Sequence, residues 1–193
     1  MKSTSGWWPL SPVSRSSQSS ARSEALEIAR LAVLGALAVA LHAAMRRRLE
    51  LGPGHQGLTW LALLTVGRLT SSARWAGATA ALGAAGATLL PIWRLGDPFL
   101  WIEYLTAGIV VDASYGRFSG WRDKPWVLAL IGGFAHATKP LLRFAIAGFG
   151  GWRYESLIGG LPFPLTTHFV FGALGALIGT ALIHTRRRAR SRP

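Results

Sequence analysis

The chain contains no cysteine, so neither disulfides nor thiolate chemistry can contribute to its fold or function. Charge is also scarce. Asp, Glu, Lys and Arg make up 15% of the residues, where a soluble domain carries about 25%. Acids are the rarer sign, 8 against 21 Lys and Arg. Sequence signatures of catalysis are missing as well: there is no G-x-x-x-x-G-K-[ST] phosphate loop, no H-E-x-x-H and no G-x-S-x-G. The expectation is therefore a protein that is not an enzyme, with no catalytic residues, no cofactor and no resident metal. The first 23 residues are Ser-rich and lack an apolar core, which excludes a secretory signal peptide. They read as a flexible cytoplasmic lead-in (residues 1–23) to a transmembrane domain over 24–185, with a basic cytoplasmic tail at 186–193.

What fills the chain instead is long apolar runs. Half of the 193 residues are hydrophobic, and nine are Trp, a residue that favours the membrane–water interface. Runs approaching the roughly 20 residues needed to cross a bilayer occur near 25–45, 57–70, 75–93, 98–115, 126–149 and 164–185. The fold class they predict is an all-α integral membrane protein, a bundle of about six transmembrane helices. The second run is short and opens on "LGPGHQG", so part of that crossing is expected to be irregular chain buried by its neighbours.

The net charge of +13 is distributed at the ends of these runs and in the tail "RRRARSR". That placement matches the positive-inside pattern, with anionic lipid as partner and no nucleic acid. With the N-terminus inside, 13 Lys and Arg lie on the cytoplasmic side and 5 outside. Both termini are then cytoplasmic, and the expected location is the cell membrane, as a multi-pass protein. Arg46, Arg47 and Arg48 are the misfit, either snorkelling at the outer surface or belonging to a binding mouth.

Small residues recur every fourth position in the first span at Ala32, Ala36, Ala40 and Ala44, with Gly35 alongside, and in the third at Ala80, Gly83 and Gly86. Such stripes let helix backbones approach closely. Packing within the bundle is the preferred reading for the third span. For the first, packing and docking on a partner subunit stand equal.

Ionisable residues inside a span are costly and mark candidate functional sites. "HATKPLLRF" places His136, Lys139 and Arg143 on one stripe of the outward-running fifth span, with Pro140 between them expected to kink it. Glu103 enters the same outer layer from the fourth span beside Trp101 and Tyr104, and His168 from the sixth, next to Thr166 and Thr167. One reading is an internal salt bridge from Glu103 to Lys139 or Arg143 that only fixes packing. The other is a ligand pocket. One acid against two cations leaves a positive surplus, to be neutralised by an anionic ligand or by Glu155. Trp101, Tyr104, Phe144 and Trp152 supply aromatic surface for a flat molecule. His42, His55, His136 and His168 match no closed metal motif, and Asp112 reads as a solvated helix end or a partner of Arg117.

With these features in place, the chain resembles the S component, the membrane-embedded substrate-binding subunit, of energy-coupling-factor (ECF) type vitamin transporters. The resemblance spans about residues 25–185 and rests on pattern. It is carried by the six short-looped spans, by "ARLAVLGALAVALH", by "TVGRLTSSARWAGATAALGAAGATLLP" and by the closing "THFVFGALGALIGTAL". It implies capture of a small vitamin-like nutrient near the outer face, here anionic or carboxylate-bearing and partly aromatic. Glu103, Tyr104, His136, Lys139, Arg143, His168, Trp101 and His55 would bind it, and "RRRLELGPGHQG" would act as lid. It also implies docking of Ala32, Ala36 and Ala40 on a transmembrane coupling subunit, powered by two separate ATPase subunits. Relatives that transport cobalt or nickel carry His directly after the initiator Met, whereas position 2 here is Lys. The alternatives are such a metal transport subunit, an intramembrane enzyme using Glu103 and His136 on a lipid-like substrate, and a structural subunit.

Overall fold

The computed structural model describes residues 15–48, 54–93, 95–118, 120–121 and 124–190, and among these there is no β-strand. Six α-helices follow in order: α1 (Arg15–Arg48), α2 (Gly57–Leu69), α3 (Ala76–Thr88), α4 (Leu100–Arg117), α5 (Pro125–Gly150) and α6 (Pro162–Arg190). Each coincides with one of the expected apolar runs. Two of them, α1 over Ser20–Met45 and α6 over Pro162–Arg190, are long and apolar enough to cross a membrane. Helices α2 and α3 have 13 residues each, about 20 Å of axis at 1.5 Å per residue.

Two boundaries differ from expectation, the start of α1 and the end of α3. Helix α1 begins at Arg15, so residues 15–23 of the Ser-rich lead-in are helical. Helix α3 stops at Thr88, because Pro91 cannot continue the ladder and a single 3-10 turn over Pro91–Trp93 follows. Helix α5 runs without interruption through Pro140, whose ring is fully buried.

The helices pack in a closed ring, α1–α3–α4–α5–α6–α2, with α2 also touching α3 and α5. Glycine sets several of the contacts. A Cβ on Gly83 would collide with the Ala32 carbonyl, and one on Gly35 with the Ala80 carbonyl. The small-residue stripes of α1 and α3 therefore face each other inside one chain, which assigns Ala32 to internal packing. A Cβ on Gly175 would meet the Gly57 carbonyl, and one on Gly179 the Ala62 carbonyl, so α6 lies directly on α2.

Polarity is arranged inside out. Val33, Leu82, Phe134 and Leu182 are each more than half exposed on the outer surface of the ring. Glu103, Lys139, His136, His168, Arg68 and Asp112 are all buried within it. Exposed Trp mark both ends: Trp101 and Trp152 at one, Trp75, Trp121 and Trp126 at the other.

Candidate functional site

The polar interior at the end of the bundle where α4 and α6 begin is built around Glu103 in the first turn of α4. Lys139 and Arg143 lie four residues apart on α5 and so project from one face. Both grip the same carboxylate. Lys139 Nζ is 2.9 Å from Oε2 of Glu103, and Arg143 Nε donates to Oε1 at 2.6 Å. Arg143 reaches further than that. Its Nη2 donates to Asp97 Oδ2 at 2.9 Å, and its Nη1 lies 3.4 Å from the Ser156 hydroxyl. Its guanidinium also stacks on the Tyr154 ring at 4.9 Å. One side chain thus clips α5 to α4, to the loop before α4 and to the loop after α5.

The charge count changes with Asp97. Two cations meet two acids, and the expected positive surplus is gone. The neutralising acid is Asp97, not Glu155. Asp97 was unremarkable in the sequence because "GDP" reads as a turn. It does serve the turn, since its Oδ1 accepts the Phe99 amide at 3.0 Å, while its second oxygen holds Arg143.

Beneath this network the histidines occupy fixed positions. His136 donates from Nε2 to the Gly54 carbonyl at 3.1 Å, which pins the turn entering α2 against α5. Gly54 adopts a φ of 91°, and an added Cβ would strike the His168 backbone, so only glycine fits there. His168 donates from Nδ1 to the Pro164 carbonyl at 2.7 Å, and its ring lies 4.8 Å from that of His136. Its Nε2 is buried with no hydrogen-bond partner. His42, on α1, shares a 2.9 Å hydrogen bond through Nδ1 with the Tyr104 hydroxyl, and Tyr104 packs edge-on against Trp60.

Above the network lies an open cavity of about 620 Å³. Lys139 and Arg143 form its floor, with His42, His55 and Gln56 on one wall. Asp97, Trp152, Arg153, Tyr154, Glu155 and Ser156 come from the surrounding loops. Next to Lys139, the space bounded by Trp60, Glu103, Tyr104 and His136 is about 10 Å³, the size of one water. The cavity is therefore a cup closed at its base. Trp152, which meets Phe99 edge to face, offers the flat apolar surface. The Tyr154 hydroxyl is buried without a partner. Burial, with Asp97 and Glu103 nearby, pushes its phenol up to about 12.

Of the expected binding residues, Lys139, Arg143 and His55 line this cavity, while Glu103, Tyr104, His136 and His168 form the layer that supports it. Trp101 and Phe144 are not among the residues lining it and are 38% and 57% exposed. Residues the sequence reading did not place there are Asp97, Gln56, Tyr154 and Ser156, and His42, which it weighed only as a metal ligand. The side chains of Arg46, Arg47 and Arg48, and residues 49–53 of the expected lid, lie outside the described residues. Among the described residues no group of three or more His, Asp or Glu is arranged to hold a metal ion.

At the opposite end a second buried pair joins α2 to α4. Asp112 is neither solvated nor bound to Arg117. Its Oδ1 receives Arg68 Nη1 at 3.2 Å and the Gly77 amide at 2.9 Å, and its Oδ2 receives the Ala78 amide at 2.7 Å. Asp112 thereby supplies, from another helix, the N-terminal acceptor that α3 lacks in its own sequence.

No protein-family model, curated protein or solved structure matches the chain.

Proposed function

We propose that this chain is the substrate-capture subunit of an importer of the ECF type. It spans the cell membrane as a six-helix bundle with both termini cytoplasmic, and takes up a small nutrient in the 620 Å³ cavity at its outer end. The observation that carries the reading is a closed-bottomed cup opening at the end of an inside-out bundle. Apolar side chains face outward where lipid would be, and the charges are gathered inward under the cup. The volume lies within the range of small-molecule sites, roughly 300–1,000 Å³.

The charge of the expected ligand follows from the network. Because Glu103 and Asp97 already match Lys139 and Arg143, a net anion would enter a site with no uncompensated buried cation among them. A flat, polar molecule without net charge fits better. It would stack on Trp152 and exchange hydrogen bonds with Gln56, Ser156 and the His42 and His55 imidazoles. This replaces the carboxylate-bearing ligand expected from sequence. The enzyme alternative is disfavoured by the same geometry, because Glu103 is held between two cations and His136 is committed to the Gly54 carbonyl.

Energy coupling would come from partners, a transmembrane subunit and two ATPases. Ala32 is taken up by α3, so the docking face on α1 shifts to the neighbouring stripe. There Val33, Leu37 and Leu41 are exposed and Ala36 and Ala40 half-buried. The test is gentle purification of the tagged chain from its native membrane, with mass spectrometry of co-purifying small molecules and proteins. The expected result is one bound polar heterocycle, together with a second membrane subunit and an ATPase pair. Recovery of the chain without ATPase partners and without ligand would overturn the proposal.

A further inference from the structure

The motif "TVGRLTSSARWAGA" does no work in the nutrient cup, because the structure puts it at the other end of the bundle. There the α2–α3 turn and the last turn of α4 enclose an open cavity of about 550 Å³. We propose that this cavity is a second binding site, for a phosphate-bearing anion, supplied in the membrane by the headgroup of an acidic phospholipid of the cytoplasmic leaflet.

Three guanidiniums and one carboxylate line it: Arg68, Arg74 and Arg117 against Asp112. Asp112 is fully engaged, holding the Gly77 and Ala78 amides as well as Arg68. Arg68, its side chain 93% buried, spends Nη1 on Asp112 and the Arg74 carbonyl, and Nη2 on the Ser71 carbonyl. Its Nε is buried without a hydrogen-bond partner. Arg74 and Arg117 are exposed and make no ion pair among the described residues. The contrast with the nutrient cup is direct. Around the cup Lys139, Arg143 and Arg153 meet Glu103, Asp97 and Glu155, whereas here, among the described residues, three guanidiniums meet one carboxylate across an open space. Phosphate oxygens are suited to several guanidinium donors at once.

The surroundings favour a lipid as the source. Trp75 is half exposed beside the cavity with the Arg74 guanidinium 5.2 Å above its ring, so indole and cation are stacked as at a headgroup layer. The turn is held firmly. Arg30 of α1 donates to the Thr70 hydroxyl at 2.8 Å, and Arg187 of α6 reaches the Leu69 carbonyl at 3.3 Å. The lipid source rests on the membrane reading, whereas the phosphate chemistry does not.

The test uses the full chain in mild detergent. Phosphatidylglycerol and phosphatidylcholine are offered in equal amounts, and retained lipid is counted by native mass spectrometry. Wild type should retain phosphatidylglycerol preferentially. Arg74→Gln/Arg117→Gln should lose it by about 25-fold, at about fivefold for each basic residue near an anionic headgroup, with phosphatidylcholine unchanged. Arg117→Glu, a single exposed change, serves if the double variant fails to fold. In a second arm, inorganic phosphate is added to the delipidated protein. Protection of the wild type but not the variant against thermal unfolding, without preferential lipid retention, would assign the site to free phosphate. Equal retention of both lipids by wild type, with no response to phosphate, would overturn the proposal, as would unchanged phosphatidylglycerol retention in a folded variant.

Discussion

Removing Glu103 should damage the fold far more than removing Lys139, although the two form one salt bridge. In Glu103→Gln the carboxylate disappears beneath two cations. Arg143 keeps Asp97, but Lys139, 5% exposed, loses its only ion-pair partner among the described residues. Leaving one charge of a buried pair uncompensated costs about 3–5 kcal/mol. In Lys139→Gln, Glu103 keeps Arg143 at 2.6 Å, so what is lost is nearer one charge-assisted hydrogen bond, about 1.5–3 kcal/mol. The double variant removes one charge of each sign and leaves Arg143 paired with Asp97. It should be more stable than Glu103→Gln alone, with a coupling of about 2–3 kcal/mol between the two sites. Reversible denaturation in mixed micelles, followed by tryptophan emission, measures all three variants. For a chain of this length Glu103→Gln should lower the melting temperature by about 10 °C. Equal losses for the two single variants, or an additive double variant, would refute the idea of a balanced network in which Arg143 is shared.

Gly175→Ala should destabilise the bundle by about 1–3 kcal/mol, because the new Cβ collides with the Gly57 carbonyl of α2. Gly86→Ala has open space around it and should stabilise α3 by about 0.5–1 kcal/mol; the same denaturation curves decide both. Asp112→Ala should cost about 3–5 kcal/mol, since it strands buried Arg68 and uncaps α3, and should speed hydrogen exchange at Gly77 and Ala78 more than anywhere in α5. An ultraviolet difference titration of wild type against Tyr154→Phe should show Tyr154 ionising near 12 rather than near the ordinary value of about 10. The neutral phenol is the form favoured by folding, so its contribution is full below pH of about 10 and is lost as pH rises through about 12. Ionisation of Tyr154 near 10 would show its hydroxyl to be solvated.

Much of this was readable from sequence, and the parts that were not share a physical cause. Apolar run length fixed the six helices, because an unbroken stretch of Leu, Ala, Val and Ile has few other uses. The Glu103–Lys139–Arg143 contact was readable because two cations four residues apart on a helix must share a face, and the alternating direction of the spans put Glu103 at their depth. Asp97 was hidden by its second role as a turn residue. The Arg68–Asp112 pair was hidden by position: each lies at the end of its helix, where a charge ordinarily reaches solvent, and 44 residues separate them. Trp101 and Phe144 were misplaced for a related reason. Sequence gives the depth of an aromatic side chain but not which side of the helix it faces. Here neither lines the cup, whose aromatic wall comes from the loop residue Trp152.

The two buried clusters also explain why the ends of one bundle should behave differently. Each joins an acid on α4 to a cation on another helix, and each secures the start of a helix, α4 through Asp97 and α3 through Asp112. At the cup, every acid that holds the structure also cancels a cation, so a ligand that displaced Asp97 from Arg143 would have to replace its charge. An uncharged ligand leaves the clip intact and can come and go without loosening α4. At the other end, Asp112 is consumed by one guanidinium and two amides, and two further Arg remain exposed. A phosphate there adds a partner without displacing any. On the proposed reading, exchange at the cup and persistent occupancy at the opposite end follow from the same count of charges.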